Sequence, residues 1–195
     1  MFDAFLVKTL KMPLARIAEP LIKAGLTANH LTVWGFGFGL LTGLAIAFGS
    51  LWVGLVCLML NRLCDGLDGA MARLTKSTDR GAFLDIVFDF IVYSWIPLAF
   101  AVRNSTDAPA VAFLIFSFVC TGSTFLALAI FAKANDLINI SLREKSFYYL
   151  RGITEGAETI LVFVLMCLFP STVTTLCIIF GALCLITAAM RIRTA

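Results

Sequence analysis

Charged side chains are scarce in this chain. Asp, Glu, Lys and Arg together make up 14% of its 195 residues, whereas 61% are hydrophobic, and the mean hydropathy is +0.98. Soluble domains carry roughly 25% charged residues, so this composition excludes an ordinary soluble domain and favours a membrane protein. The formal net charge of +3 is unremarkable, and we expect no nucleic-acid partner.

Cysteine and histidine motifs for metal binding or redox chemistry are also missing. The six cysteines lie in apolar runs without a C-x-x-C pair, and His30 is the single histidine. We therefore interpret the cysteines as apolar filler and His30 as a surface or helix-capping residue. No repeat, low-complexity segment or second domain is evident, so we predict one membrane domain over residues 1–195.

Long apolar stretches account for most of the chain. Each is close to the roughly 20 residues that a helix needs to cross a bilayer. We predict an all-α membrane protein with a bundle of six transmembrane helices over residues 30–190. The predicted spans are residues 30–49, 51–74, 82–102, 109–133, 153–169 and 171–190.

Residues 1–25 follow a different pattern. Apolar residues recur at helical spacing from Phe2 to Ile22, while lysines and arginines occupy the other positions. This pattern predicts an N-terminal amphipathic helix that lies in the membrane interface. Because proline lacks the backbone N–H, we expect Pro13 and Pro20 to interrupt or restart this helix.

The distribution of basic residues predicts the orientation in the membrane. All lysines and arginines except Arg62 and Arg103 fall on one side of a six-span arrangement. By the positive-inside rule, that side is cytoplasmic and holds both termini. The connection between the second and third spans lies on the same side, so a soluble nucleotide could reach it.

Four aspartates stand close to that connection. A carboxylate at the bilayer centre costs about 2.5 to 3.5 kcal/mol, so Asp65, Asp68, Asp85 and Asp89 need compensating positive charge. The first two are three residues apart and the last two four apart, so each pair shares one helix face. Four carboxylates on adjacent helices could hold two divalent ions that clamp a diphosphate. The pattern indicates a phosphoryl-transfer site.

Two other interpretations of the aspartates remain open from the residues alone. The carboxylates could form interhelical salt bridges with Arg62, Arg73 and Arg80, although three arginines do not balance the acidic cluster. An ion or proton transporter also buries carboxylates in membrane helices, but such proteins usually show internal repeats.

The order of these residues resembles a known family. The motif reads Asp65-x-x-Asp68-Gly69-x-x-Ala72-Arg73, then seven residues, then Gly81-x-x-x-Asp85-x-x-x-Asp89. It is similar at every fixed position to the signature of the CDP-alcohol phosphatidyltransferases. The resemblance implies a six-helix membrane fold, a homodimer and Mg²⁺ or Mn²⁺, with two ions. It also implies cleavage of a CDP-linked substrate, release of CMP and transfer of the substituted phosphate to an acceptor alcohol.

The resemblance also implies roles for individual residues. Asp65, Asp68 and Asp85 match metal ligands, and Asp89 matches the general base, with a share in metal binding. The residues that match contacts to the cytidine nucleotide are Gly69, Ala72, Arg73 and Gly81. Upstream, residues 27–32 resemble a Thr-Pro-Asn-x-x-Thr segment of the family, except that Ala28 stands in place of the proline. This resemblance implies that Asn29 is a further nucleotide contact.

Donor and acceptor remain open between two assignments. CDP-diacylglycerol could donate to a small polar alcohol, or a CDP-linked polar alcohol could donate to a lipid alcohol. Members that act on phosphorylated acceptors tend to carry arginines at the start of the fifth span, where this chain has Glu155 and Glu158. These glutamates favour an uncharged or cationic acceptor, whereas Lys133 and Arg151 are candidate basic contacts to it. The resemblance to small bacterial members of the family implies that the protein lies in a bacterial inner membrane, with its active site facing the cytoplasm.

Overall fold

Helices account for the fold, as predicted. The structure, a computed structural model, describes residues 2–135 and 154–194. Within these ranges it contains seven α-helices, two short 3-10 turns and no strand. The helices are α1 (Phe2–Lys23), α2 (Ala28–Ala47), α3 (Leu51–Leu74), α4 (Asp79–Arg103), α5 (Ala108–Asn135), α6 (Gly156–Leu168) and α7 (Val173–Thr194).

Four helical segments are long and apolar enough to cross a membrane. They are Ala28–Ala47, Asp79–Arg103, Ser105–Phe131 and Pro170–Arg193. The chain is therefore an integral membrane protein, and the prediction of six spans is confirmed for four of them. Helix α3 has the necessary length but carries the charged residues of the motif, and the 13 residues of α6 are fewer than a span requires.

The N-terminal helix differs from the prediction in one respect. We expected Pro13 and Pro20 to break it, but α1 continues through both. Each proline removes a single intrahelical hydrogen bond, and packing against α3 opposes that loss. Ala18 is fully buried, and Leu14 lies directly over Gly66, where a Cβ atom would come within 3.0 Å of the leucine side chain.

A line of glycines lets α2 approach α3 and α4 closely. A Cβ atom at Gly35 would lie 3.0 Å from Cys64 on α3, and one at Gly39 would lie 2.4 Å from Val92 on α4. The two G-x-x-x-G steps therefore pack helices within one chain, which the sequence had left open. Asn61 on α3 stabilises this contact by donating a hydrogen bond to the Gly35 carbonyl at 2.8 Å.

Polar caps fix where the helices around the aspartates begin. The Thr27 hydroxyl accepts from the His30 amide, and the His30 ring accepts from the Thr27 amide, so His30 caps α2, as predicted. Thr78 caps α4 by accepting from the Gly81 amide at 3.0 Å. Because these caps fix where α2 and α4 begin, they also fix the faces on which Thr32 and Asp85 lie.

Candidate active site

Three carboxylates converge where α3 ends and α4 begins. One oxygen from each of Asp65, Asp68 and Asp85 lies within 4.8 Å of the other two. Hard divalent cations bind carboxylate oxygens at about 2.0 to 2.6 Å, so oxygens at these separations can share one ion. The predicted grouping of the two aspartate pairs is therefore present for these three residues.

Asp68 is the most deeply placed of the three. It is 7% exposed, and its Oδ2 accepts a hydrogen bond of 2.7 Å from the Thr32 hydroxyl on α2. That hydroxyl also lies 3.1 Å from the Ala28 carbonyl, one turn earlier in the same helix. A donor that fixes the orientation of a carboxylate is a common feature around metal ligands. Sequence reasoning assigned no role to Thr32, although it is the last residue of the family-like segment at 27–32.

Asp89 stands beside this group, with its own partners. Its Oδ1 accepts a 2.8 Å hydrogen bond from Nη2 of Arg62, and its Oδ2 accepts from the Tyr93 hydroxyl at 3.4 Å. Arg62 also lies 3.5 Å from Asp65. Part of the salt-bridge interpretation is therefore present, but among the described residues we find these aspartates paired only with Arg62. One cation does not neutralise four carboxylates.

The predicted nucleotide contacts lie around the ends of three helices, at the end of α3 and the starts of α2 and α4. Asn29 and Gly81 are adjacent, since a Cβ atom at Gly81 would come within 2.8 Å of the Asn29 side-chain oxygen. Arg73 folds back over Gly69, with Nη1 3.2 Å from the position of a Cβ atom there. Ala72 follows Asp68 by one turn of α3. These residues border the carboxylates.

A cavity of about 380 Å³ opens next to the aspartates. Side chains from α4, α5, α7 and the start of α6 line it, so it joins the motif to the second half of the chain. Asp85 and Asp89 form one wall, and Glu155 and Arg191 lie on its lining, together with Tyr93. Arg191 was not predicted as a site residue, because at the end of a span it looked like one more cytoplasmic positive charge.

The four predicted acceptor contacts have different outcomes. Glu155 lines the cavity. Glu158 instead accepts a 3.1 Å hydrogen bond from the Glu155 amide and closes the cap at the start of α6. Lys133 lies in the last turn of α5, and Arg151 lies outside the described residues.

Comparison with known proteins decides the family. A family model described as CDP-alcohol phosphatidyltransferase matches residues 25–192. The chain belongs to the CDP-alcohol phosphatidyltransferase family. It is therefore an enzyme of that family, and the resemblance of the aspartate motif is confirmed.

Two related proteins match most of the chain, and a third matches part of it. Inner membrane protein YnjF of Escherichia coli (strain K12) is 45% identical over 193 residues, which is 98% of this chain and 94% of that protein. An archaetidylinositol phosphate synthase of Pyrococcus horikoshii is 36% identical over 80 residues, 40% of this chain and 43% of its own length. The fold is similar to that of Mycobacterium tuberculosis phosphatidylinositol phosphate synthase (PgsA1) with CDP-DAG bound. That similarity has a TM-score of 0.70 at 22% identity and covers 93% of this chain and 92% of the other.

The aspartate group fits the divalent metal that the family uses. All the candidate ligand atoms in the group of Asp65, Asp68 and Asp85 are carboxylate oxygens. Hard oxygen ligands suit Mg²⁺ and Mn²⁺ rather than metals that prefer sulfur or imidazole. The buried position of Asp68 adds a charge that needs a nearby cation.

Proposed function

We propose that the protein transfers a phosphatidyl group from CDP-diacylglycerol to the hydroxyl of a small polar alcohol. The observation that carries this proposal is the position of the aspartate group. Asp85 lines the cavity together with Asp89, and Asp68 immediately precedes the proposed nucleotide contacts on α3. In the reaction, the acceptor oxygen forms a bond to the phosphorus that carries the diacylglycerol. The phosphorus–oxygen bond to CMP breaks, and CMP leaves.

Asp65, Asp68 and Asp85 hold the divalent ions, with Asp89 as a further candidate ligand, and a pair of Mg²⁺ or Mn²⁺ ions is the expected cofactor. When bound, these ions supply positive charge that polarises the diphosphate and stabilises the leaving CMP. The protein residues set the position of the donor. Arg73 contributes a planar guanidinium that can pair with phosphate, while Gly69 and Gly81 admit the nucleotide close to the backbone. Asn29 and Ala72 complete the proposed nucleotide site.

Asp89 accepts the proton of the acceptor hydroxyl. It lies on the wall of the cavity, beside the three-carboxylate group, so an alcohol in the cavity can reach both Asp89 and the donor phosphorus. A positioned carboxylate within hydrogen-bond reach of the attacking hydroxyl is what general-base catalysis requires. No covalent enzyme intermediate is needed, and the proposed step is a direct displacement.

The cavity favours an uncharged or cationic acceptor. Glu155 on its lining would repel a phosphorylated alcohol, whereas Arg191 on the same lining would attract one. Two unit charges of like sign about 4 Å apart repel by about 4 kcal/mol at an effective dielectric constant near 20. Because Glu155 offsets the charge of Arg191, the pair supplies no net positive charge to bind a second phosphate group on the acceptor. Lys133 and Arg151 are further candidate contacts to the acceptor. Binding of an acceptor phosphate group by these residues or by Arg191 would reverse this preference.

The arrangement in the membrane follows from the same proposal. Helices α3 and α6 complete a bundle of six helices in the membrane, α1 lies in the interface, and both termini and the active site face the cytoplasm. The name of the Escherichia coli relative supports an inner-membrane location. The protein acts as a homodimer, with membrane lipid as its surroundings and source of donor.

Radiolabelled CDP-diacylglycerol offered with a panel of alcohols tests the function. The purified protein in detergent receives Mg²⁺ or Mn²⁺ and either inositol, serine, ethanolamine, choline or glycerol, or else glycerol phosphate or inositol phosphate. We expect a new labelled phospholipid on chromatography with one of the unphosphorylated alcohols. Efficient product formation with a phosphorylated alcohol would contradict the acceptor assignment. If CMP were released from a CDP-linked polar alcohol and a lipid alcohol, but not from CDP-diacylglycerol, the donor assignment would be wrong.

A further inference from the structure

Arg62 is a partly buried cation that stands outside the family signature. It lies on α3, three residues before Asp65, and its side chain is 18% exposed. Burying a guanidinium in a membrane bundle is costly unless several acceptors surround it. The partners of Arg62 therefore indicate why an arginine occupies this position.

These partners form a closed set around Asp89. Nη2 of Arg62 donates to Asp89 Oδ1 at 2.8 Å, and Nη1 donates to the Tyr93 hydroxyl at 3.4 Å. The Tyr93 hydroxyl in turn donates to Asp89 Oδ2 at 3.4 Å. Nε of Arg62 donates to the Asn61 side-chain oxygen at 2.8 Å, which fixes the plane of the guanidinium. Both oxygens of Asp89 thus have a donor.

We propose that Arg62 is a positioning residue that limits the share of Asp89 in metal binding and keeps its carboxylate towards the acceptor cavity. This inference rests on the proposed function, because it explains how Asp89 can act as the base. Asp85 and Asp89 are one turn apart on α4, so the same divalent charge that binds Asp85 also attracts Asp89. Arg62 provides a competing attraction, because its contact to Asp89 is 2.8 Å, whereas its contact to Asp65 is longer, at 3.5 Å. The group of oxygens within 4.8 Å accordingly contains Asp85 but not Asp89.

An arginine suits this task better than a lysine would. Its planar fork reaches Asp89, Tyr93 and Asn61 at the same time, whereas an ammonium group is a single point of charge. A lysine at this position could keep the contact to one carboxylate oxygen but not the fixed plane. We therefore expect lysine to replace Arg62 in part.

The experiment compares Arg62→Gln and Arg62→Lys with the wild type in detergent. It measures kcat, the KM for CDP-diacylglycerol, the Mg²⁺ concentration for half-maximal CMP release and, without turnover, the Mg²⁺ affinity by titration calorimetry. Arg62→Gln should lower kcat by about 100-fold, the lower end of what a general base contributes, with KM and the Mg²⁺ requirement within about threefold of wild type. Arg62→Lys should recover a clear part of the loss. Arg103→Gln, at the opposite end of α4, is the matched control and should keep wild-type kcat.

A double variant separates positioning from a general structural role. If Arg62 acts through Asp89, adding Arg62→Gln to Asp89→Asn should lower kcat by no more than about twofold further. Additive losses would contradict the inference. So would a loss in Arg62→Gln that saturating Mg²⁺ restores, because Arg62 would then shape the metal group itself.

Two further outcomes keep the test decisive. If Arg62→Gln does not give a folded protein, Tyr93→Phe takes its place, because it removes one donor to Asp89. Tyr93→Phe should lower kcat and leave the Mg²⁺ requirement unchanged. Unchanged kcat in both single variants, Tyr93→Phe and Arg62→Lys, would overturn the inference. Absence of CMP release by the wild-type protein would contradict the proposed function, whereas wild-type activity with an unaffected Arg62→Gln contradicts only the role of Arg62.

Discussion

Thr32 on α2 donates a 2.7 Å hydrogen bond to the Asp68 carboxylate on α3, across 36 positions of the sequence. The contact joins the family-like segment at residues 27–32 to the aspartate motif. Both side chains are buried, at 8% and 7% exposure, so no bulk water replaces the hydroxyl if it is lost. Thr32 therefore orients a proposed metal ligand.

Thr32→Val should weaken the metal site while it leaves the packing of α2 nearly unchanged. The valine has the shape of threonine without the donor, so Asp68 loses its fixed orientation. We expect the Mg²⁺ concentration for half-maximal CMP release to rise about tenfold, the lower end for residues that orient metal ligands. Thr32→Ser keeps the hydroxyl and should remain within about threefold of wild type. Equal losses in both variants would mean that the methyl group, not the hydrogen bond, matters.

Asp65→Ala and Asp68→Ala should each weaken the binding of metal and of CDP-diacylglycerol together. The metal bridges carboxylate and diphosphate, so the two ligands bind cooperatively, with coupling of about 5- to 150-fold. Titration calorimetry with and without Mg²⁺ measures this coupling. Asp79→Ala is the control, since Asp79 lies in the first turn of α4 at a position that the motif leaves variable. A loss in Asp79→Ala as large as in Asp68→Ala would assign the effect to overall charge.

Asp89→Asn should strongly lower turnover and largely spare donor binding. The amide keeps the size of the carboxylate but cannot accept the proton of the attacking hydroxyl, so kcat should fall by about 10²- to 10⁴-fold. Binding of CDP-diacylglycerol at saturating Mg²⁺ should stay within about threefold. Near-normal CMP release by this variant would remove Asp89 from the role of base.

Gly39→Ala should destabilise the bundle, and Gly37→Ala should not. A Cβ atom at Gly39 would lie 2.4 Å from a methyl group of Val92, which is buried and stiff, whereas nothing lies within 4 Å of a Cβ atom at Gly37. Such overpacking costs about 1 to 3 kcal/mol, while alanine at an open helical position is favourable by up to about 1 kcal/mol. Thermal unfolding in detergent compares the two variants. A shared loss of stability would contradict the close contact between α2 and α4.

The helices and the aspartate pairs were predictable because both depend on local periodicity. Hydropathy over about 20 residues locates apolar helices, and the three- and four-residue spacings place each pair of aspartates on one face. Prolines misled the prediction for α1, because its continuity depends on packing against α3 rather than on local propensity. Tertiary contacts of this kind have no signature in a single sequence.

The polar partners of the site were harder to predict for the same reason. The bond between Thr32 and Asp68 and the pairing of Arg62 with Asp89 both join different helices, so spacing along the chain does not reveal them. Glu158 has a structural contact that its charge did not indicate. Its role at the acceptor stays a prediction, but three-residue spacing from Glu155 is also the spacing of a capping box, and Glu158 closes the helix cap.

The aspartate group is proposed to hold divalent metal for the transfer of a phosphatidyl group. To test this claim, CMP and labelled phospholipid are measured together, in wild type and Asp68→Ala, with Mg²⁺ or with a chelator. We expect one CMP for each new phospholipid in wild type with Mg²⁺, and neither product above background with the chelator or in Asp68→Ala. Formation of both products by wild type after chelation, or by Asp68→Ala at the wild-type rate, would contradict the claim.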